Sequence, residues 1–214
     1  MPVAPACLAW ASVAASLGPN QRQVCSIRSS RPAAKLTVRR SEVYVSVASR
    51  VNHASANRTG REMAATARLV LDAKNIVGES LIWVADHAAF FWVDICGKSI
   101  SMFRPCDGHF ETWPTPDFPT SIGCRKDGGF IVGLTRDVCL WEPGDIFEPV
   151  ATPEPEFPGN RLNEGVVAPD GSFWVGTMDN NLDANGSPKE QSAKSGAYYR
   201  IDPDFSVHRL TPNE

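Results

Sequence analysis

The sequence predicts an all-β protein built from β-propeller blades, on three observations. From residue 68 onward, short apolar and β-branched runs alternate with Gly, Pro and Asp punctuation, and no window of a dozen residues shows a helical period. A unit of two such runs recurs at residues 82, 122 and 166, with spacings of 40 and 44 residues. Each copy continues into two further strand-like runs, so the repeat has the length and strand number of a propeller blade.

Thirteen strands follow from this pattern. They are predicted near residues 68–72, 81–85, 90–95, 99–104, 109–113, 120–125, 129–134, 137–142, 146–151, 163–168, 172–178, 196–201 and 205–210. The third repeat carries a polar insertion, Asp179 to Ser195, which we expect to form a loop on one face. Residues 68–214 suffice for roughly three to three and a half blades, so we expect a partial propeller whose open strand edges favour self-association.

The first 62 residues differ from the rest in charge. They hold nine basic and two acidic residues, a net charge of +7, whereas residues 63–214 hold twelve basic and twenty-two acidic residues, a net charge of −10. The first basic residue is Arg22, so the basic start of a secretory signal is missing. Two origins stay open, an over-extended start upstream of Met63 and a transit-like segment. In both cases we expect a disordered leader, followed by a propeller over 68–214.

Membrane and nucleic-acid functions are not favoured by the sequence. No apolar run approaches the roughly eighteen residues of a membrane span, and the basic residues of the leader are scattered rather than clustered with aromatics. The cysteines show no C-x-x-C spacing and predict free thiols in a reducing compartment; they are residues 7, 25, 96, 106, 124 and 139. We therefore expect a cytoplasmic protein with neither membrane nor nucleic acid as a partner.

One polar cluster stands out as a candidate binding site. It consists of Asn160, Arg161, Asn163 and Glu164 and directly precedes an apolar run. An Asp170-Gly171 pair, the strongest short-range hairpin signal, separates this run from the next one. Strand ends on a rigid sheet commonly carry binding groups, but a solvated loop before an ordinary hairpin would show the same pattern.

Five motifs in order give the chain a family resemblance. They are Gly78-Glu79-Ser80, Phe91-Trp92-Val93-Asp94-Ile95 with Gly97-Lys98, Asn160-Arg161-Leu162-Asn163-Glu164-Gly165, Asp170-Gly171 with Gly176-Thr177-Met178, and Gly196-Ala197-Tyr198-Tyr199. Through them, residues 68–214 resemble the SMP-30/gluconolactonase/regucalcin-like family. The resemblance implies a six-bladed propeller, one divalent cation (Ca, Zn, Mn or Mg) on its axis, and hydrolysis of sugar-acid lactones.

The resemblance also implies roles for individual residues. Glu79 corresponds to a metal ligand, and Arg161 and Asn163 correspond to substrate-binding residues. Asn181 stands where some members have a substrate-contacting acid. The two other metal ligands, an asparagine and an aspartate that is also the general base, are expected beyond Glu214. We therefore expect this chain to be a weak or inactive lactonase by itself. The alternative is a non-catalytic propeller fragment that binds calcium or a partner.

The chemistry of lactone hydrolysis suits these residue types. A hard divalent cation takes oxygen ligands, polarises the lactone carbonyl and lowers the pKa of bound water. The Arg161 guanidinium can form two parallel hydrogen bonds to substrate oxygens, and the Asn163 amide can both donate and accept.

Overall fold

The computed structural model describes residues 67–192 and 195–211 and, before residue 67, only the backbone of four strands. The chain divides into two compact units, Met1–Lys74 and Asn75–Glu214. The described strands are β1 Ala11–Val13, β2 Gln23–Ile27, β3 Ala34–Arg39, β4 Glu42–Val47, β5 Ala67–Asp72, β6 Gly78–Val84, β7 Ala89–Asp94, β8 Ser99–Arg104, β9 His109–Pro114, β10 Ser121–Cys124, β11 Phe130–Gly133, β12 Val138–Trp141, β13 Glu148–Ala151, β14 Asn160–Val167, β15 Phe173–Asp179, β16 Tyr198–Ile201 and β17 Val207–Arg209.

The first unit contains one antiparallel sheet, in which β1 to β5 pair in chain order. Four of these strands lie in the leader, for which the expected disorder stays a prediction. In β3 and β4 apolar residues alternate and stand opposite one another in the ladder, as in the pairs Leu36↔Val45 and Val38↔Val43. The remaining leader residues lie outside the described part of the chain.

The second unit contains three sheets of four antiparallel strands, and each sheet pairs its strands in chain order. All thirteen strands predicted from residue 68 onward are present, which confirms the all-β prediction. One boundary differs in a way that matters. The strand predicted near 163–168 already begins at Asn160, because Asn160 and Arg161 pair with Asp179 and Met178 of β15. The polar cluster therefore lies within a strand rather than in a loop before it.

The three sheets stack through one repeated contact. The Phe91 ring of the first sheet lies 4.7 Å from the Phe130 ring of the second. Ile131, the equivalent of Phe91 in the second sheet, shares a buried core with Phe173 of the third. The next equivalent, Trp174, is 41 % exposed. A four-stranded antiparallel sheet that repeats and packs on the next copy in the same way is the architecture of a β-propeller. The total of six blades stays a prediction.

The insertion Asp179–Ser195 crosses from the third sheet to the first. Leu182 is only 9 % exposed and belongs to the core between the first two sheets, together with Phe118. The Gly186 carbonyl accepts a hydrogen bond from the Cys96 thiol at 3.5 Å. An otherwise polar segment is thus fixed by one apolar side chain, in the part of it that the structure describes.

Two further expectations can be compared with the described residues. Cys96, Cys106, Cys124 and Cys139 are free, as predicted for them, while the side chains of Cys7 and Cys25 lie outside the described part. Among those same described residues, no helix combines the length and apolar character needed to cross a membrane.

Asp94 is the main polar support of the first sheet in this unit. Its side chain is buried, and its carboxylate accepts hydrogen bonds from the backbone N–H groups of Ile76 and Val77, each at 2.8 Å, and of Gly97 at 3.1 Å. It therefore fixes the segment before β6 and the turn after β7 to each other. Gly97 is required here, because a Cβ would lie 2.3 Å from Asp94 Oδ2.

We predict that Asp94→Ala lowers the free energy of unfolding by roughly 2–4 kcal/mol, because three backbone donors lose their acceptor. Chemical denaturation followed by tryptophan fluorescence measures the change. Asp107→Ala is the matched control, since Asp107 pairs with Arg104 at the surface of the same sheet and should matter far less. Equal destabilisation by both variants would contradict this role for Asp94.

Candidate functional site

Two β-bulges position the candidate site. In the ladder of β6 with β7, Ser80 and Leu81 stand opposite a single residue, and in the ladder of β14 with β15, Asn163 and Glu164 do the same. A bulge bends its strand and changes the direction of its side chains, and bulges are common next to binding sites. Each bulge lies in the first strand of its sheet, so the first and third sheets share the same irregularity at equivalent strands.

Strand β10 lies between the two bulged strands. Its Ile122 N–H donates to the Ser80 Oγ at 3.1 Å, which joins the first two sheets. Gly165 directly follows the second bulge, and a Cβ there would lie 2.9 Å from Ser121 Oγ. Only glycine lets β14 approach β10 this closely. The first strands of the three sheets are therefore in contact around one central region.

Ser80 has an unusual backbone for a strand residue. Its φ of 54° lies in the left-handed region, and the residue is only 2 % exposed. Such a conformation is costly for a residue with a Cβ and persists only where the surroundings enforce it. The Ser80 hydroxyl also faces the Glu164 carboxylate of the third sheet and favours its charged form. Ser80 thus interacts with both neighbouring sheets.

Arg161 is the most completely bound side chain of the site. It is 7 % exposed. Its Nε and Nη2 donate to Asn181 Oδ1 at 3.2 and 3.0 Å, and its Nη1 donates to the Leu162 carbonyl at 2.8 Å and to Asn163 Oδ1 at 3.3 Å. The structure therefore brings together three of the four residues predicted for the site, and Asn181 reaches Arg161 from the insertion.

Glu79, the fourth predicted residue, lies near this group. It is half-buried. Desolvation raises its pKa, and the nearby positive charge of Arg161 acts in the opposite direction. Burial in turn lowers the pKa of Arg161, although Glu79 opposes that change. Glu79 and Arg161 thus interact at a distance, without an ion pair within 4 Å among the described residues.

Glu164 is a second carboxylate at the site. Desolvation raises its pKa to about 7, and repulsion from Glu79 adds to the rise. The residue as a whole is exposed, so solvent partly screens the repulsion between the two carboxylates. Glu164 belongs to the polar cluster seen in the sequence, but no motif assigned it a role among the predicted site residues.

A buried polar network supports the start of β14. Glu154 is 5 % exposed, and its carboxylate accepts hydrogen bonds from Asn160 Nδ2 at 2.8 Å and from the Tyr199 hydroxyl at 3.1 Å. Burial, with this hydrogen bond, raises the pKa of Tyr199 to about 12. The Ser195 hydroxyl donates to Asn160 Oδ1 at 2.6 Å. These contacts hold Asn160, the residue that precedes Arg161, in place. No sequence motif pointed to Glu154.

A divalent cation fits the type of ligand at this site. Glu79 and Glu164 offer hard oxygen donors, and each carboxylate is disfavoured as an anion by desolvation, which a bound cation would relieve. The described residues contain no cluster of three or more His, Cys, Asp or Glu side chains able to hold a metal. Water and substrate oxygens would have to complete the coordination beside these residues.

Comparison with known proteins identifies the family. The pattern that defines the SMP-30/Gluconolactonase/LRE-like region matches residues 77–213. The chain belongs to this family. The match covers both bulges, the polar cluster and the insertion, so the resemblance drawn from five motifs is confirmed. The functional roles of Glu79, Arg161, Asn163 and Asn181 stay predictions.

Individual members of the SMP-30/gluconolactonase family show how far the similarity extends. A 6-deoxy-6-sulfogluconolactonase of Pseudomonas putida is 31 % identical over 122 residues, which are 56 % of this chain and 42 % of that protein. Regucalcin of Xenopus laevis is 28 % identical over 133 residues, 61 % of this chain and 43 % of regucalcin. The solved structure of a calcium-binding regucalcin from Agrobacterium tumefaciens has a TM-score of 0.54 at 19 % identity, covering 64 % of this chain and 43 % of that one. The chain thus spans less than half the length of these relatives.

We predict a pH-dependent stability that originates at Glu164. Its pKa is raised in the folded protein, so the folded state binds more protons than the unfolded state between pH 4.5, the ordinary pKa of a glutamate, and about pH 7. Stability from this group is therefore fully present below about pH 4.5 and is lost as pH rises toward 7. Glu164→Gln should remove this loss, as measured by denaturation with a chelator at pH 5 and 7.5.

The control for this prediction is Glu148→Gln, a change of the same kind at an exposed position of β13. It should leave the pH dependence of the wild type unchanged. If Glu164→Gln and wild type lose the same stability between pH 5 and 7.5, the pKa of Glu164 is not raised in the folded protein.

Proposed function

We propose that this protein is a divalent-cation-dependent lactonase that hydrolyses sugar-acid lactones. One observation carries the proposal: in a member of the SMP-30/gluconolactonase family, Arg161 donates hydrogen bonds to Asn163 and Asn181 and interacts electrostatically with Glu79. The names of the relatives, a sulfogluconolactonase and regucalcins, agree with it.

Each residue has a role in this proposal. Glu79 would hold the cation together with water and substrate oxygens, and Ca, Zn, Mn and Mg are the candidates. When bound, the cation supplies Lewis acidity that polarises the lactone carbonyl and makes a bound water more acidic. Arg161 and Asn163 orient the lactone by donating hydrogen bonds to its oxygens.

The test is hydrolysis of D-glucono-1,5-lactone by the 214-residue chain, followed as acid release with each of the four cations and with a chelator. We expect slow, chelator-sensitive hydrolysis. Arg161→Ala should lower it about 10- to 100-fold, the effect of losing hydrogen bonds from a charged donor. Glu79→Gln should raise the cation concentration needed for half-maximal rate, and Glu148→Gln should change neither quantity. Chelator-resistant hydrolysis, or an unaffected Arg161→Ala variant, would contradict the proposal.

A second function, partner binding, is favoured by the exposed face of the third sheet. Val166, Trp174 and Tyr198 are 59 %, 41 % and 62 % exposed on this face. Trp174 occupies the position at which Phe91 and Ile131 pack against the following sheet. An apolar sheet face of this kind is suited to another sheet, and the simplest occupant is a second copy of the chain.

We predict that the chain self-associates through this face. Light scattering after size-exclusion chromatography should show a dimer at tens of micromolar, and Trp174→Ser should shift it to monomer. Ile146→Ser is the control, because Ile146 is 84 % exposed in the turn before β13. A monomeric wild type across this concentration range would exclude self-association by this face.

A further inference from the structure

We propose that Asn185 is a site of spontaneous modification, where the side-chain amide is lost by reaction with the backbone nitrogen of Gly186. The products are an aspartate and an isoaspartate at position 185. The sequence contains a single Asn-Gly pair, Asn185-Gly186, and it lies in the polar insertion between β15 and β16. The reaction does not involve the candidate site, so its outcome is independent of the lactonase proposal.

The reaction needs no cofactor and no oxidant. The Gly186 nitrogen loses its proton and attacks Asn185 Cγ, so that a new C–N bond forms between them. The bond from Cγ to the side-chain nitrogen breaks, and that nitrogen leaves as ammonia together with a proton. Water then opens the cyclic imide at one of its two carbonyl groups, which yields either aspartate or isoaspartate.

Two donors from Ser187 converge on the amide oxygen of Asn185. The Ser187 N–H donates to Asn185 Oδ1 at 2.9 Å, and the Ser187 hydroxyl donates to the same oxygen at 2.6 Å. Negative charge develops on this oxygen when the carbonyl is attacked, and donors already aimed at it stabilise that charge. The same contacts fold the Asn185 side chain back over the Gly186 peptide, so the two reacting groups are neighbours before the reaction begins.

Glycine at position 186 leaves the attacking nitrogen accessible. The φ of Gly186 is 85°, in the left-handed region, and no Cβ crowds the approach to the nitrogen. Asn185 and Ser187 are exposed, so water can accept the proton and open the imide. The Gly186 N–H donates to the Asp183 carbonyl at 3.0 Å. This bond must open for the attack, and at an exposed turn water readily replaces it.

The base of this turn is fixed, which keeps the reacting groups together. Leu182 is buried in the core and pairs with Pro188 in an antiparallel bridge. The Asp183 N–H donates to the Ser187 carbonyl at 3.0 Å. Residues 183–187 are therefore closed at both ends, and thermal motion of the tip does not separate Asn185 from its neighbour.

An isoaspartate at position 185 would change how the insertion contacts the first sheet. It routes the main chain through Cγ and so adds one carbon to the chain directly before Gly186. The Gly186 carbonyl accepts the hydrogen bond of the Cys96 thiol at 3.5 Å, and a longer main chain would displace this carbonyl. An aspartate keeps the original main chain, so this contact distinguishes the two products.

The test is incubation of the folded 214-residue chain at mildly alkaline pH, followed by digestion and mass spectrometry of every asparagine-containing peptide. Conversion at Asn185 should be at least about tenfold faster than at any other asparagine. Ser187→Ala should slow it about tenfold, less than the loss of a donor in a buried oxyanion hole because this turn is exposed. In urea, where the turn is lost, Ser187→Ala and wild type should convert at equal rates.

The matched control is Ser206→Ala. Ser206 makes the same pair of contacts to Asp204, with its N–H donating to Asp204 Oδ1 at 3.0 Å and its hydroxyl at 2.7 Å, in the exposed turn before β17. This variant should convert at Asn185 as fast as the wild type does. Asn185→Gln should abolish labelling of the incubated chain by an isoaspartate methyltransferase, because a glutamine would have to close a larger ring.

Three results would overturn the proposal. The first is conversion at Asn185 no faster than at the other asparagines of the folded chain. The second is an unchanged rate in Ser187→Ala. The third is a difference between Ser187→Ala and wild type that persists in urea, since it would originate in the sequence and not in the turn. Lactone hydrolysis, whether present or absent, would alter none of these results.

Discussion

The hydrogen bond from the Ile122 N–H to the Ser80 hydroxyl is the contact on which the central region depends. It requires Ser80 to be buried in a left-handed conformation, and the bulge of β6 provides that conformation. The same bulge sets the direction of Glu79, and the same hydroxyl faces Glu164 on the third sheet. Backbone strain at one serine therefore positions carboxylates on two different sheets.

The site concentrates groups that a stable fold alone would avoid. Arg161 is buried among neutral acceptors, and the charged forms of Glu79 and Glu164 are both disfavoured by desolvation. The free-energy cost of desolvating these charged groups is offset nearby by the hydrogen bonds of Glu154 and by the hydrophobic contacts of Leu182. Such local conflict with stability is characteristic of binding sites, where a ligand completes the interactions that the protein leaves unsatisfied.

The repeat and its strands could be predicted because they depend on local patterns. Alternating apolar residues and Asp-Gly turns mark the strands without knowledge of their neighbours. The bulges could not, because a register shift at Asn163 and Glu164 depends on the partner strand β15. The family motifs pointed to four side chains whose roles stay predictions, but they could not give the contact between Arg161 and Asn181, which joins residues twenty positions apart across an insertion. Leu182 is an apolar anchor in the described part of a polar segment, and the composition of that segment does not reveal it.

The stacking of three similar sheets also shapes how the second unit would unfold. Each sheet packs on its neighbours in sequence, through Phe91 on Phe130 and then Ile131 on Phe173, so stability approximates a sum of sheet and interface contributions. The middle sheet has an interface on both faces, whereas the third sheet exposes Val166, Trp174 and Tyr198 on one face. Amide hydrogen exchange should therefore be slowest in the middle sheet and faster in β16 and β17. The third sheet, which carries Arg161, is then looser than the middle sheet, and ligand binding would be coupled to the order of the third sheet.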